Sequence, residues 1–358
     1  MNRHDIARRR LHNQFLWGTK YRRMEDVVGR LAALQAQEFA YARWSVAQRI
    51  NGSSAAIDRA FTTGELLRTH VLRPTWHFVL PADIRWLLRL TAPRVNALNA
   101  YTYREFGLNE SVFAKSNALL ARALEGRKHL TRGELAAQLQ AAGIEASGIR
   151  LAALLIRAEL DAVVCSGPLR GKQHTYALLD DRVPAQKLMD RDEALAELTR
   201  RYYTTRGPAT LRDYLWWSSL TVADGKRGIA MIERDLTSEV AEGRTYHDCS
   251  AKPGTSPPFP AIDLIQGYDE YVMSYSESKD VLFPEVGNRR TTPYLHAILL
   301  NGHLIGHWKH VVQKDVMKIE TDLYRKLTAP ERDALLGAAE RYGRFVGTPS
   351  VLAMSGTS

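Results

Sequence analysis

His129-Leu130-Thr131-Arg132-Gly133-Glu134-Leu135 opens the most regularly patterned stretch of the 358-residue chain. A threonine with a glutamate three residues later is a capping box, in which each side chain satisfies a backbone N–H at a helix start. Leu135 and Leu139 carry that helix to a stop at Gly143. Ser147 starts another, apolar at Ile149, at 151–156 and at Leu160. Residues 162–165 read as a short strand, 167–171 as a turn and 174–179 as the returning strand. Helix, helix, strand, turn, strand is the plan of a winged helix. The turn carries Arg170, Lys172 and His174. It is either a solvated hairpin tip or a surface that meets phosphate.

The same order occurs upstream. Residues 5–16 read as a basic helix with Arg8, Arg9 and Arg10 in sequence, either a solvated face or a set of phosphate contacts. Met24, Val27, Val28, Leu31 and Leu34 recur at three- to four-residue steps and share one helical face. A second helix carries Ala40, Trp44 and Ala47, and Ser53 or Ser54 caps a third that runs to Phe61. Residues 66–72 and 75–80 read as strands separated by Arg73-Pro74. More helix follows from Pro81, with Pro93 interrupting it. These features divide the chain at 1–125 and 126–184. Trp76 and Trp86 are assigned to the core.

Downstream, 185–258 holds a helix over 191–204, two more starting at Thr210 and Thr221, and a strand within 240–246. Trp216 and Trp217 are adjacent, so only one can sit at the centre of a core. A Pro/Gly/Ser loop over 251–260 leads into 259–358. There Asn301-Gly302, between two apolar runs, is a strong hairpin signal. A third strand over 311–320 and a closing helix over 330–344 complete an antiparallel β-region, a small barrel or sheet. The fold class is α+β.

Between the first two helices of the first unit lies Leu34-Gln35-Ala36-Gln37-Glu38. On a helix, side chains at i and i+2 point away from each other; on extended backbone they point the same way. An extended junction would therefore aim two primary amides at one point, each with an acceptor oxygen and two donor hydrogens. The simpler reading has both glutamines satisfying loose backbone groups at a helix end.

Composition narrows the function classes. The net charge of +10 favours polyanionic partners. Cys165 and Cys249 form no CxxC pair, which argues against a zinc ribbon and fits a reducing compartment. The basic N-terminus lacks an apolar h-region, and no run of eighteen apolar residues exists. The expectation is a cytoplasmic, nucleoid-associated protein with no membrane contact. His303, His307 and His310 alternate poorly on a strand, so no metal site is expected. Asp269 and Glu270 are either acids at a site mouth or polar residues at a strand end.

Leu31-Ala-Ala-Leu-Gln-Ala-Gln37, Ala42-Arg43-Trp44-Ser45, Arg73-Pro-Thr-Trp-His77, Tyr268-Asp-Glu-Tyr271 and Gly302-His-Leu-Ile-Gly-His-Trp308 together resemble the AlkZ/YcaQ family of winged-helix DNA glycosylases. The resemblance runs over about residues 5 to 345 in family order. It implies three tandem winged helices and a C-terminal β-region, matching the restarts above. It also implies a Gln-x-Gln catalytic motif, here Gln35 and Gln37, of the AlkZ-like branch. Arg8, Arg9, Arg43, Arg73, His77, Arg170 and Lys172 are the candidate DNA contacts.

A glutamine amide is no base at neutral pH, so it orients water rather than deprotonating it. That suffices only where the leaving group departs easily, as from a cationic N7-alkylguanine. The expected activity is therefore a monofunctional glycosylase on alkylated double-stranded DNA. The resemblance implies that it extends to bulky genotoxin adducts and interstrand crosslinks; no cofactor or obligate protein partner is expected. The rival readings are a winged-helix transcription regulator and a genotoxin-sequestering protein.

Overall fold

Three times along the chain a helix leads through a short extended segment into two more helices and a hairpin. The computed structural model describes residues 1–18, 20–187, 189–250, 259–283 and 295–355. After α1 (Arg3–Asn13), the first such unit comprises α2 (Met24–Leu31), β1 (Leu34–Gln35), α3 (Phe39–Ile50), α4 (Ser54–Thr63), β2 (Leu67–His70) and β3 (Trp76–Val79). Its sheet order is β1-β3-β2. The long α5 (Pro81–Glu105) connects it to the second unit. That unit is α6 (Glu110–Leu124), β4 (Leu130–Thr131), α7 (Arg132–Ala141), α8 (Gly148–Leu160), β5 (Val164–Ser166) and β6 (Thr175–Leu178), in the equivalent order β4-β6-β5.

After α9 (Leu179–Arg182), the third unit has α10 (Arg191–Arg206), α11 (Leu211–Ser218), α12 (Val222–Met231), β7 (Thr237–Ala241) and β8 (Arg244–Asp248). Its first strand is reduced to a single bridge, Ala209 to His247. The remainder is β9 (Ile262–Ile265), α13 (Glu270–Met273), β10 (His296–Leu300), β11 (His303–Gln313), β12 (Val316–Leu323), α14 (Ala329–Val346) and β13 (Ser350–Ser355).

Local chemistry fixes several boundaries. The Thr131/Glu134 capping box is formed, and Thr328/Glu331 forms another at the start of α14. Asn301 and Gly302 both take positive φ, as the tight β10–β11 turn requires. Other expectations are corrected. Pro93 lies inside α5 without ending it; buried Leu90, Thr91, Ala92 and Val95 surround it and hold the helix by packing. The strand expected over 311–320 is split by a turn at Lys314-Asp315. The five-stranded C-terminal sheet, β13-β12-β11-β10-β9, is antiparallel except where β13 joins β12 in parallel. The third unit's single expected strand is a hairpin around Glu242-Gly243. Most of the 251–260 loop lies outside the described residues.

The core sits asymmetrically. One face of the first unit, with Trp44, Val46 and Phe61, packs on Ile262, Trp308, Tyr342 and Phe345 of the C-terminal region. Its other face, with Leu67 and Val79, packs together with Trp86 of α5 on Tyr202, Tyr214 and Trp217 of the third unit. The second unit keeps a separate core around Leu120, Leu135, Leu154 and Val164. The first unit is thus clamped on two sides. Each fully buried large side chain in these clusters contributes roughly 1.5–3 kcal/mol. Helix α1 packs outside the first unit, through Leu11 against Ile265 and Leu299. Its Arg10 lies buried over the Tyr275 ring at 3.6 Å and donates to the Pro208 carbonyl.

Candidate active site

Helix α2 ends at Ala32, whose φ of 63° turns the chain out of the helix and into β1. From there to the start of α3 the backbone is non-helical: Gln35 ends β1, and Gln37 lies at a bend two residues beyond it. Gln35 is buried and Gln37 exposed, yet both side chains have partners on the β3 side, Arg73 for Gln35 and the Trp76 N–H for Gln37. The segment is held from β2 and β3. Ala36 N–H donates to the Trp76 carbonyl at 2.7 Å. Arg68 donates from Nε to the Ala36 carbonyl at 3.0 Å and from Nη2 to the Gln37 carbonyl at 3.3 Å.

Gln35 is cross-strand partner to His77. Its Oε1 accepts from Arg73 Nη2 at 3.1 Å, and its backbone N–H donates to Glu270 Oε1 at 2.9 Å. Glu270 is fully buried, and its Oε2 accepts from Arg206 Nη2 at 2.7 Å, Trp217 Nε1 at 2.8 Å and Ser274 Oγ at 2.9 Å. Burial would push this carboxyl up, but the Arg206 and Arg73 guanidiniums outweigh it and hold it down at about 2. Burial, then neighbouring Arg73, holds the His77 imidazole down at about 3. Neither group changes protonation near neutrality. The adjacent Asp269 is also buried, gripped by Arg49 at 2.8 and 2.9 Å. Asp269 and Glu270 are therefore neither acids at a site mouth nor polar strand ends; each is half of a buried ion pair.

Arg73 and His77, expected to meet DNA, face inward instead: Arg73 is 8% exposed and His77 0%. The strand pairing explains this, because it puts His77 on the Gln35 side of the sheet, over Glu270. Trp76, expected in the core, is half-buried beside the motif with the Arg68 guanidinium 4.2 Å over its ring. Its backbone N–H reaches Gln37 Oε1 at 3.4 Å. Trp86 is in the core, as expected.

The remaining candidate DNA contacts are dispersed. Arg8 is exposed on α1, and Arg9 lies 3.9 Å from Asp248. Arg43 pairs with Asp58 at 2.5 Å. Lys172 is exposed at the tip between β5 and β6, and Arg170 is exposed but paired with Glu134 at 2.7 Å. His174, from the same tip, turns inward onto the Phe39 ring at 4.6 Å. The second unit's hairpin thereby touches the start of α3, two residues after Gln37. Among the described residues, no group of three or more His, Cys, Asp or Glu side chains is placed to hold a metal ion. No helix among them is long and apolar enough to cross a membrane.

Sequence reasoning missed Arg206 and Trp217 as partners of the motif and undervalued Glu270. The available signal was Asp269-Glu270 itself, two carboxylates between Tyr268 and Tyr271 in an aromatic, apolar stretch. Charges in such a setting are buried and paired. Nothing local marks Arg206.

The repeated helical units and the C-terminal sheet define a scaffold whose class comparison makes specific. A family profile for AlkZ-like DNA glycosylases matches residues 28–345, and the chain belongs to that family. Among curated proteins it is similar to the interstrand DNA cross-link repair glycosylase of Streptomyces sahachiroi, 28% identical over 91% of this chain and 92% of that one. Among solved structures it resembles the Streptomyces sahachiroi DNA glycosylase AlkZ, with a TM-score of 0.80 and 23% identity over 98% of this chain and 99% of the other.

Proposed function

We propose that this DNA glycosylase hydrolyses the N-glycosidic bond of cationic N7-alkylguanine in double-stranded DNA, with water held by Gln35 and Gln37. The observation that carries the reading is how the ionisable groups beside the motif are engaged: Glu270 accepts from Arg206, Trp217 and Ser274, and His77 is taken up by the Thr75 carbonyl and Arg73. Glu270 stays ionised and engaged by Arg206, while His77 stays neutral. Neither is free to shuttle a proton, so the amides are left to act by orientation. That chemistry suits a base whose positive charge already weakens its bond to C1′. No lysine hydrogen-bonds to Gln35 or Gln37 among the described residues, which favours base release without Schiff-base strand cleavage. The name of the Streptomyces sahachiroi relative supports extending the substrate to interstrand crosslinks and bulky adducts. Arg8, Arg9, Arg43, Lys172 and, once released from Glu134, Arg170 are the proposed phosphate contacts. Incubation with duplex DNA carrying N7-alkylguanine should liberate the modified base and leave an intact abasic strand. No release from such DNA, with binding retained, would contradict the reading.

A further inference from the structure

We infer that Arg73 is a positioning residue, one that fixes the Gln35 side chain with its amide nitrogen, a hydrogen-bond donor, toward the reacting atoms. This rests on the glutamine reading proposed above. The two ends of an amide are nearly identical in shape, so its partners decide which way it turns. A guanidinium has donors only. With Arg73 Nη2 at 3.1 Å, the end facing it must be Oε1, and Nε2 must face away.

Arg73 is itself immobilised. Its Nη1 donates to the Met273 carbonyl at 3.2 Å, and Nη2 lies 3.4 Å from His77 Nε2. The tautomer of His77 follows from its other nitrogen. Nδ1 lies 2.9 Å from the Thr75 carbonyl, which can only accept, so Nδ1 carries the proton and Nε2 receives from Arg73. Glu270 fixes the main chain of the same residue through the Gln35 N–H. Gln35 Nε2 makes no hydrogen bond among the described residues, so both its hydrogens are available to a ligand.

Gln37 is held differently. It is exposed, and the one hydrogen bond its side chain makes among the described residues, from Trp76 N–H, is at the long limit. The pair thus consists of one fixed donor and one adjustable amide. The fixed Gln35 N–H holds the water by one oxygen lone pair, and Gln37 accepts one of the water hydrogens. The second lone pair bonds to C1′. The C1′–N9 electron pair leaves with the base and neutralises it, and the surplus proton passes to solvent.

The test is a double-mutant cycle on single-turnover base release from N7-methylguanine duplex DNA, with DNA affinity measured alongside. Arg73→Met should slow release about tenfold to 10²-fold with affinity within about twofold. In the Gln35→Ala background the same change should have almost no further effect, because nothing remains to be aimed. Gln35→Glu, which replaces the donor end with an acceptor, should be as slow as Gln35→Ala. Arg73→Lys keeps a donor-only charge and should recover part of the rate; it also serves the cycle if Arg73→Met fails to fold. Slow release by Gln35→Ala with a multiplicative Arg73 effect, or an active Gln35→Glu, would overturn the positioning role alone. A wild-type rate for Gln35→Ala would overturn it together with the glutamine reading.

Discussion

The first and second units share a sheet order and differ at one joint. In the second, β4 ends at Thr131, which is also the N-cap of α7, so strand passes directly into helix. In the first, β1 ends at Gln35 and α3 begins at Phe39, leaving Ala36, Gln37 and Glu38 between them. The capping box closes the second joint with its own side chains. The first has no side-chain cap; Glu38 makes none. Its spacer is held instead by Arg68 and Trp76 from the hairpin, and its strand by Glu270 from the distant α13. The difference teaches how a repeated scaffold can keep a second glutamine outside its helix: three residues intervene, and charged side chains from the hairpin and α13 hold the segment.

The most disruptive way to break that contrast is Glu270→Ala. It leaves Arg206 and Arg73 buried without their counter-charge, and removing one partner of such a pair typically costs about 3–5 kcal/mol. Thermal or denaturant melting should show it, whereas Glu134→Ala at the exposed second-unit capping box should cost far less. Similar losses for the two would deny that the first joint depends on its buried anchor.

Next is the second unit's tip. Lys172→Ala should weaken DNA binding without regard to sequence and reduce the salt slope by about one contact's worth. Arg170→Ala should do less, because its guanidinium must first leave Glu134. An unchanged slope for Lys172→Ala would remove this hairpin from the DNA surface.

The smallest expected effect is on pH. With His77 held at about 3 and Glu270 at about 2, the single-turnover rate should be flat between pH 5.5 and 8.5. Stability should not be flat further down. Unfolded, His77 takes a proton near its ordinary 6.5 and Glu270 near 4.5; folded, each resists until about 3 and about 2. The unfolded chain binds more protons in these windows, so their stabilisation is complete above pH 6.5 and lost as pH falls. A rate that titrates near pH 6.5 would point to a working histidine.

What the sequence made legible follows interaction range. The Thr131/Glu134 box, the Asn301-Gly302 turn, the helical face of α8 and that of α2 up to Leu31 depend on residues a few positions apart, and they read directly; Leu34, expected on the α2 face, lies on β1. The non-helical setting of Gln35 and Gln37 was legible as a condition on the junction; the bend that carries Gln37 beyond the end of β1 was not. The hidden parts are long-range. Glu270 reaches Gln35 across 235 positions and Arg206 across 64. Arg73 and His77 looked like surface cations because burial of a charge shows only once its partner is known. Pro93 misled for a related reason: packing of α5 on both neighbours outweighs its local cost. The break in the 311–320 strand falls at Lys314-Asp315, which lacks the glycine or asparagine that marks tight turns.

The central claim is that the two amides act on the reaction and not on DNA binding. The direct measurement is single-turnover release of N7-alkylguanine from duplex DNA by the Gln35→Ala/Gln37→Ala variant, with DNA affinity measured on the same preparation. Losing an oriented hydrogen-bonding group in a closed site costs on the order of 10²-fold in rate. The account predicts at least that loss for the pair, with affinity within about twofold of the parent. Release at the parental rate would contradict it.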